Sequence, residues 1–251
     1  MSKVKGGIFI EKEQEIFCGC FWETGDRERN EDSIAFWHFV KGKKNKIMAV
    51  VCDGIGGLAK GEEASSYVVR QLANWFMTEG YKISVRKQER VLQQLCFQMH
   101  EEIKSFGKES GIRLGTTITC VLLDERKMLC AHCGDCRLYL LKKRKYKILT
   151  SKDHNEKGYL TKALGVGEWH LLSIKKYKVR RKDKWLLCSD GFYSHFQERE
   201  FCLLGKQKIY GDGQAERLLK QLWEKKRTIK GKDNASALYF GFTTKQSGGE
   251  Q

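Results

Sequence analysis

Lys46-Ile47-Met48-Ala49-Val50-Val51-Cys52-Asp53-Gly54-Ile55-Gly56-Gly57 is an apolar run that stops on an aspartate and a glycine-rich turn. The apolar, partly β-branched residues Ile47 to Cys52 read as a buried strand. Aspartate is a poor strand residue, so Asp53 marks the strand's end. The same arrangement recurs downstream. Trp185-Leu186-Leu187-Cys188-Ser189 leads into Asp190-Gly191, and Leu129-Cys130-Ala131-His132-Cys133 into Gly134-Asp135-Cys136-Arg137. Two further acidic motifs complete the set: Arg27-Glu28-Arg29-Asn30-Glu31-Asp32-Ser33 and Asp233-Asn234-Ala235-Ser236. Taken singly, Asp53, Asp190 and Asp233 read equally well as turn or cap residues. Placed repeatedly at strand ends, they predict loops gathered at one rim of a sheet, where ligands and catalytic groups sit. Carboxylates that converge without Arg or Lys partners repel one another, and a hard divalent cation is the usual remedy.

Working outward, strands are expected at 16–22, 33–40, 46–52, 117–123, 127–133, 137–141, 145–149, 171–179, 184–188 and 235–242. Helices are expected over 61–78, 85–106 and 214–226, where apolar residues such as Leu92, Leu95, Met99, Ile103 and Phe106 recur at helical spacing. Meandering strands with inserted helix pairs make this an α+β chain of antiparallel sheets with helices on their outer faces. The acidic pair Glu62-Glu63 serves the positive end of the first helix.

At 251 residues and 41% hydrophobic, the chain can bury a large core. It reads as a single domain over 1–251 with its core at about 13–243 and frayed polar ends. No apolar run approaches the ~20 residues of a membrane span. No secretory h-region opens the chain, so a cytoplasmic, reducing setting is expected. The ten cysteines are then free thiols. The tightest cluster, Cys130 to Cys136, has zinc-like spacing, but on a strand Cys133 points away from Cys130. The net charge is +16, with Lys and Arg spread along the chain rather than in a nucleic-acid motif. That pattern suits acidic or phosphorylated partners, not specific nucleic-acid recognition.

From about Gly25 to about Phe242, the order of these motifs resembles the metal-dependent protein phosphatase 2C family in its bacterial form. Gly115-Thr116-Thr117, Leu149-Thr150-Ser151-Lys152-Asp153-His154 and Leu160-Thr161-Lys162-Ala163-Leu164-Gly165 fall in the family's order too. The resemblance implies a four-layer α-β-β-α sandwich. It implies hydrolysis of phosphoserine and phosphothreonine in proteins, with two Mn²⁺ or Mg²⁺ ions per chain. In that reading Asp53 bridges the ions and the Gly54 carbonyl ligates one, while Asp190 and Asp233 hold the other. Glu31 and Asp32 orient the ions' waters, and Arg27 binds phosphate. Asp135 matches a ligand of a third, weaker ion. A cognate Ser/Thr kinase follows by family habit. The alternative is a catalytically silent phosphoprotein-binding module on the same fold, which would be free to lose Asp53, Asp190 or Asp233.

The chain departs from the family at two points. Ile55 stands where many eukaryotic relatives carry a histidine, and an apolar residue there fits the bacterial subtype. Only Asn155 to Tyr159 separate His154 from Leu160, where bacterial relatives hold a much longer segment, so a shortened flap is expected. His154 itself reads as a packed or solvated loop residue with no chemical role.

Overall fold

A computed structural model describes residues 16–41, 44–55, 60–157, 159–226 and 229–244. The glycine turn expected at Gly56 and Gly57, and the ends expected to fray, lie mostly outside them. The described strands form two antiparallel sheets of five. One has the order β1 (Ile16–Glu23), β10 (Ala235–Phe242), β9 (Lys184–Cys188), β6 (Arg137–Leu141) and β7 (Tyr146–Ile148). The other runs β2 (Asp32–Lys41), β3 (Lys44–Asp53), β4 (Ile118–Asp124), β5 (Lys127–Cys133) and β8 (Ser173–Lys178).

Strand β3 shows why its sequence reads as an unbroken apolar run. Ile47, Ala49 and Val51 enter the core between the sheets, against Trp185, Leu187, Leu238 and Phe240. The alternate residues Met48, Val50 and Cys52 face helices α1 (Gly61–Thr78) and α2 (Val85–Glu109), packing with Val68, Leu72, Phe76, Leu92 and Met99. A strand buried on both faces has no polar side to show. The first sheet does the same, sending Phe17, Tyr139, Leu186 and Tyr239 outward against Leu204 of α4 (Glu198–Lys206) and Ala215, Leu219 and Leu222 of α5 (Asp212–Glu224). Helix, sheet, sheet and helix therefore make four layers around three apolar cores. A fully buried leucine such as Leu72 contributes about 1.5–3 kcal/mol through its removal from water.

The expected α1, β5, β6, β9 and β10 have the observed bounds. Elsewhere the ends move by one to three residues. Helix α5 starts at Asp212, not at 214, and ends at Glu224. Three elements were not anticipated: a 3-10 turn at Gly80–Lys82, the one-turn helix α3 (Asp190–Tyr193), and α4. Helix α4 buries only Glu200, Phe201, Leu204 and Gly205, and its capping box uses Gln197 in place of Ser or Thr.

None of the ten cysteines forms a disulfide. Cys130 lies in the core between the sheets and Cys133 in the core under α1 and α2, so the two thiols face opposite ways as expected. The segment after His154 is indeed short. His154 bridges to Leu160, and the Asn155 amide donates to the Tyr159 carbonyl at 2.9 Å.

Candidate metal centre

Strand register brings the acidic motifs to one rim. Asp32, opening β2, pairs with Asp53, closing β3. Cys188, just before Asp190, stands opposite Ala237 on one side and Arg137 on the other. Glu23 pairs with Ala235, which sets Asp233 at the same end. The β5–β6 turn adds Asp135.

The Asp53 backbone is held on both sides. Its amide donates to Thr117 Oγ1 at 3.0 Å, and its carbonyl accepts from the Thr117 amide at 2.8 Å and Thr116 Oγ1 at 2.9 Å. Burial pushes the Asp53 carboxyl well above the usual range, and the charges of Asp32, Asp190, Asp135 and Asp233 push it further. Asp190 is raised by burial, then by Asp135 and Asp233, while the Gly191 amide and the Asp53 carboxyl oppose the shift. Asp32 is 2% exposed and is pushed up to about 7, mainly by burial. Ser189 Oγ donates to its Oδ2 at 2.7 Å, whereas its Oδ1 has no partner. Among the described residues, neither Lys nor Arg pairs with Asp32, Asp53 or Asp190.

Asp233 differs. Arg27 Nη2 donates to its Oδ2 at 2.8 Å, and both side chains are about half exposed. The expectation of carboxylates without cationic partners therefore fails at this one position, and Arg27 sits at the cluster's edge. Glu31 turns the other way. Its carboxylate accepts from the Gly61 amide at the start of α1, and burial, then Glu62, raises its pKa. The Gly54 amide donates to the Glu31 carbonyl at 3.1 Å. Glu62 itself pairs with Arg29 at 2.9 Å.

Asp53, Asp135 and Cys136 each bring a possible ligand atom within 4.8 Å of the others. Burial and the neighbouring carboxylates Asp53 and Asp135 push the Cys136 thiol well up and keep it protonated, with Thr117 Oγ1 at 3.3 Å. The donor set is then carboxylate oxygen, which suits a hard divalent ion better than zinc. Crowded buried carboxylates and the orphan Asp32 Oδ1 both fit a cation placed among them.

Three residues of this rim have roles that escape a sequence reading. Asn234 is buried, and its Nδ2 donates to the carbonyls of Thr24 and Arg29, both at 2.8 Å. Its Oδ1 accepts from the Glu31 amide at 2.9 Å. One amide thus fastens the Arg27 loop to the start of β10. Gly191 allows the matching approach of α3, because any Cβ there would run into the Asn234 carbonyl oxygen. His154, expected to carry no role, donates from Nε2 to Asp135 Oδ2 at 2.9 Å.

The family described as "Protein phosphatase 2C" matches this sequence over residues 24–227. The chain belongs to the protein phosphatase 2C family. It is a metal-dependent protein phosphatase. The matched residues include Arg27, Glu31, Asp32, Asp53, Asp135 and Asp190, and they end before Asp233. The phosphatase is 27% identical over 204 residues to the serine/threonine phosphatase Stp of Listeria monocytogenes, covering 72% of this chain and 79% of that one. Its fold matches the crystal structure of the serine/threonine phosphatase Stp1 of Staphylococcus aureus with a TM-score of 0.78. That match has 24% identity and covers 94% of this chain and 98% of the other. The catalytic domain of the serine/threonine phosphatase PstP, solved with two manganese ions, matches with a TM-score of 0.72 at 23% identity, over 92% of this chain and all of that one. No helix of the described residues is long and apolar enough to cross a membrane.

Proposed function

We propose that the phosphatase hydrolyses phosphoserine and phosphothreonine in proteins at the rim formed by Asp32, Asp53, Asp135, Asp190 and Asp233. The convergence of these carboxylates, three of them raised by burial and mutual repulsion, carries the reading. Two Mn²⁺ or Mg²⁺ ions would be held by Asp53, the Gly54 carbonyl, Asp190 and Asp233, with a third, weaker one at Asp135. Bound there, such ions supply a water of lowered pKa and neutralise charge on the phosphate.

The chain's own groups do the rest. Thr116 and Thr117 hold the Asp53 backbone, which sets its carboxylate among the flanking acids. Asp32 and Glu31 would orient the waters of such ions. Arg27 presents a planar fork that suits a phosphate dianion, and its position beside Asp233 keeps it at the edge of the cluster. Ile55 offers no proton, so protonation of the leaving serine or threonine oxygen falls to water. The names of the Listeria and Staphylococcus relatives support serine and threonine as the substrates. We place the enzyme in the cytoplasm as a single domain opposing a Ser/Thr kinase, consistent with its basic surface and thiols outside disulfides.

Hydrolysis of phosphoserine, phosphothreonine and phosphotyrosine peptides with Mn²⁺ and with chelator tests the proposal. Turnover of the first two should require the ion, and Asp53→Asn should abolish it while leaving a cooperative unfolding transition. Hydrolysis that persists in chelator, or wild-type turnover by Asp53→Asn, would overturn it.

A further inference from the structure

The short turn after His154 has a built connection to the rim. Asp153 and Gly134 are doubly bonded: the Asp153 amide donates to the Gly134 carbonyl at 2.9 Å, and the Gly134 amide donates to Asp153 Oδ2 at 3.0 Å. The Thr161 amide and Oγ1 both donate to the Asp153 carbonyl, at 2.7 and 2.9 Å. Lys162 pairs with the other Asp153 oxygen at 3.3 Å. Asn155 Oδ1 accepts from the amides of Lys157 and Tyr159, which closes the turn. His154 sits at the centre of this clamp, bridged to Leu160, with its ring against Asp135. The other side of Asp135 is held as well, since Tyr193 Oη donates to its carbonyl at 3.2 Å. Gly134 reaches φ +122°, and a Cβ there would collide with the Thr117 side chain. The β5–β6 turn is therefore held from both sides.

We propose that His154 is a positioning residue for Asp135, and that the shortened turn serves as a strut behind the third-ion site instead of a cover over the substrate. This rests on the reading of Asp135 as an ion ligand. An ionised carboxylate only accepts, so the His154 Nε2 carries the hydrogen and donates it to Oδ2. That bond fixes the carboxylate's rotation and leaves Oδ1 for an ion. The His154 side chain is 23% exposed and that of Asp135 12%, so the bond is shielded yet lies at the surface of the site. A hydrogen-bond partner behind a metal ligand is worth tenfold or more in ion affinity. Five residues between His154 and Leu160 are too few to fold over the metal centre, but enough to return the chain to the Asp153 carbonyl.

The test titrates Mn²⁺ into metal-free wild type, His154→Ala, His154→Gln and Asp135→Asn by calorimetry, with thermal unfolding of each metal-free form as a control for folding. Wild type should bind two ions tightly and a third weakly. His154→Ala should weaken the third about tenfold and leave the tight pair and the unfolding midpoint in place. The Gln side chain, whose amide can also donate, should recover most of the loss. Asp135→Asn should abolish the third site. Three ions bound by His154→Ala with wild-type affinity would overturn the role of His154 alone. A wild type that takes only two ions, unchanged in Asp135→Asn, would overturn the reading of Asp135 and this inference with it.

Discussion

Asp32 gives a stability test that separates the needs of the metal centre from those of the fold. Its carboxyl is pushed up to about 7 in the folded protein, against an ordinary value of 3.8. The cause is burial, with Asp190 and Asp233 adding to it and the Ser189 and Ser236 hydrogen bonds opposing. Between those two values the folded chain holds a proton that the unfolded chain has released. Stability of the metal-free protein therefore falls as pH rises through that window. At about 1.36 kcal/mol per pH unit, the gap between the two values sets an upper bound of about 4 kcal/mol. Asn at this position keeps an oxygen for the Ser189 hydroxyl and places an uncharged amide where Oδ1 has no partner. Asp32→Asn should then stabilise the metal-free protein by about 2–4 kcal/mol at pH 8, and by much less at pH 4, where the unfolded chain also holds the proton. Relief of Asp53 and Asp190 adds in the same direction. Saturating Mn²⁺ should reverse the order, because ions bound to the folded wild type stabilise it by mass action. Urea unfolding in chelator at pH 4, 6 and 8, then with Mn²⁺ at pH 8, measures all of this. A variant equally stabilised at every pH, or destabilised at pH 8 without metal, would refute the reasoning.

Three other outcomes are open to direct measurement. Arg27→Ala loses a charge-assisted contact to phosphate and should lower kcat/KM by about 1.5–3 kcal/mol, roughly 10- to 150-fold. Mn²⁺ affinity should hardly move, because the Asp233 pair it breaks is exposed; loss of the ions with unchanged substrate affinity would contradict this. Gly191→Ala forces α3 away from the Asn234 carbonyl and should cost about 1–3 kcal/mol in denaturant unfolding, with weaker Mn²⁺ binding. All ten cysteines should titrate as free thiols after denaturation without reductant, with no stoichiometric zinc, since Cys130 and Cys133 point to different cores; two or more disulfides would count against it.

Much of the fold is legible because strand ends are local events. Ala235 to Phe242 is apolar on both faces and follows Asp233-Asn234, so its bounds can be read directly. Helix α4 is not legible in the same way, because Glu198–Lys206 is only nine residues long and its cap is Gln197 instead of Ser or Thr. His154 carries no local mark of its role either, since its partner Asp135 is 19 residues away in the chain.

The amino-acid sequence by itself determined which aspartates stand at strand ends, their order, and the absence of a long insertion after His154. These depend on propensities and hydrophobic runs that act over a few residues. Only the tertiary structure decided that Asp32, Asp53, Asp135, Asp190 and Asp233 share one rim. That follows from strand pairing, such as Asp32 with Asp53, and Cys188 with Ala237 and Arg137. It also decided that Asp233 meets Arg27, that Asn234 anchors the Arg27 loop, and that Glu31 turns to the start of α1. Each of these is a hydrogen bond or ion pair between segments far apart in the chain. Their geometry is set by sheet register and by burial in the surrounding cores, and neither is written in any one stretch of residues.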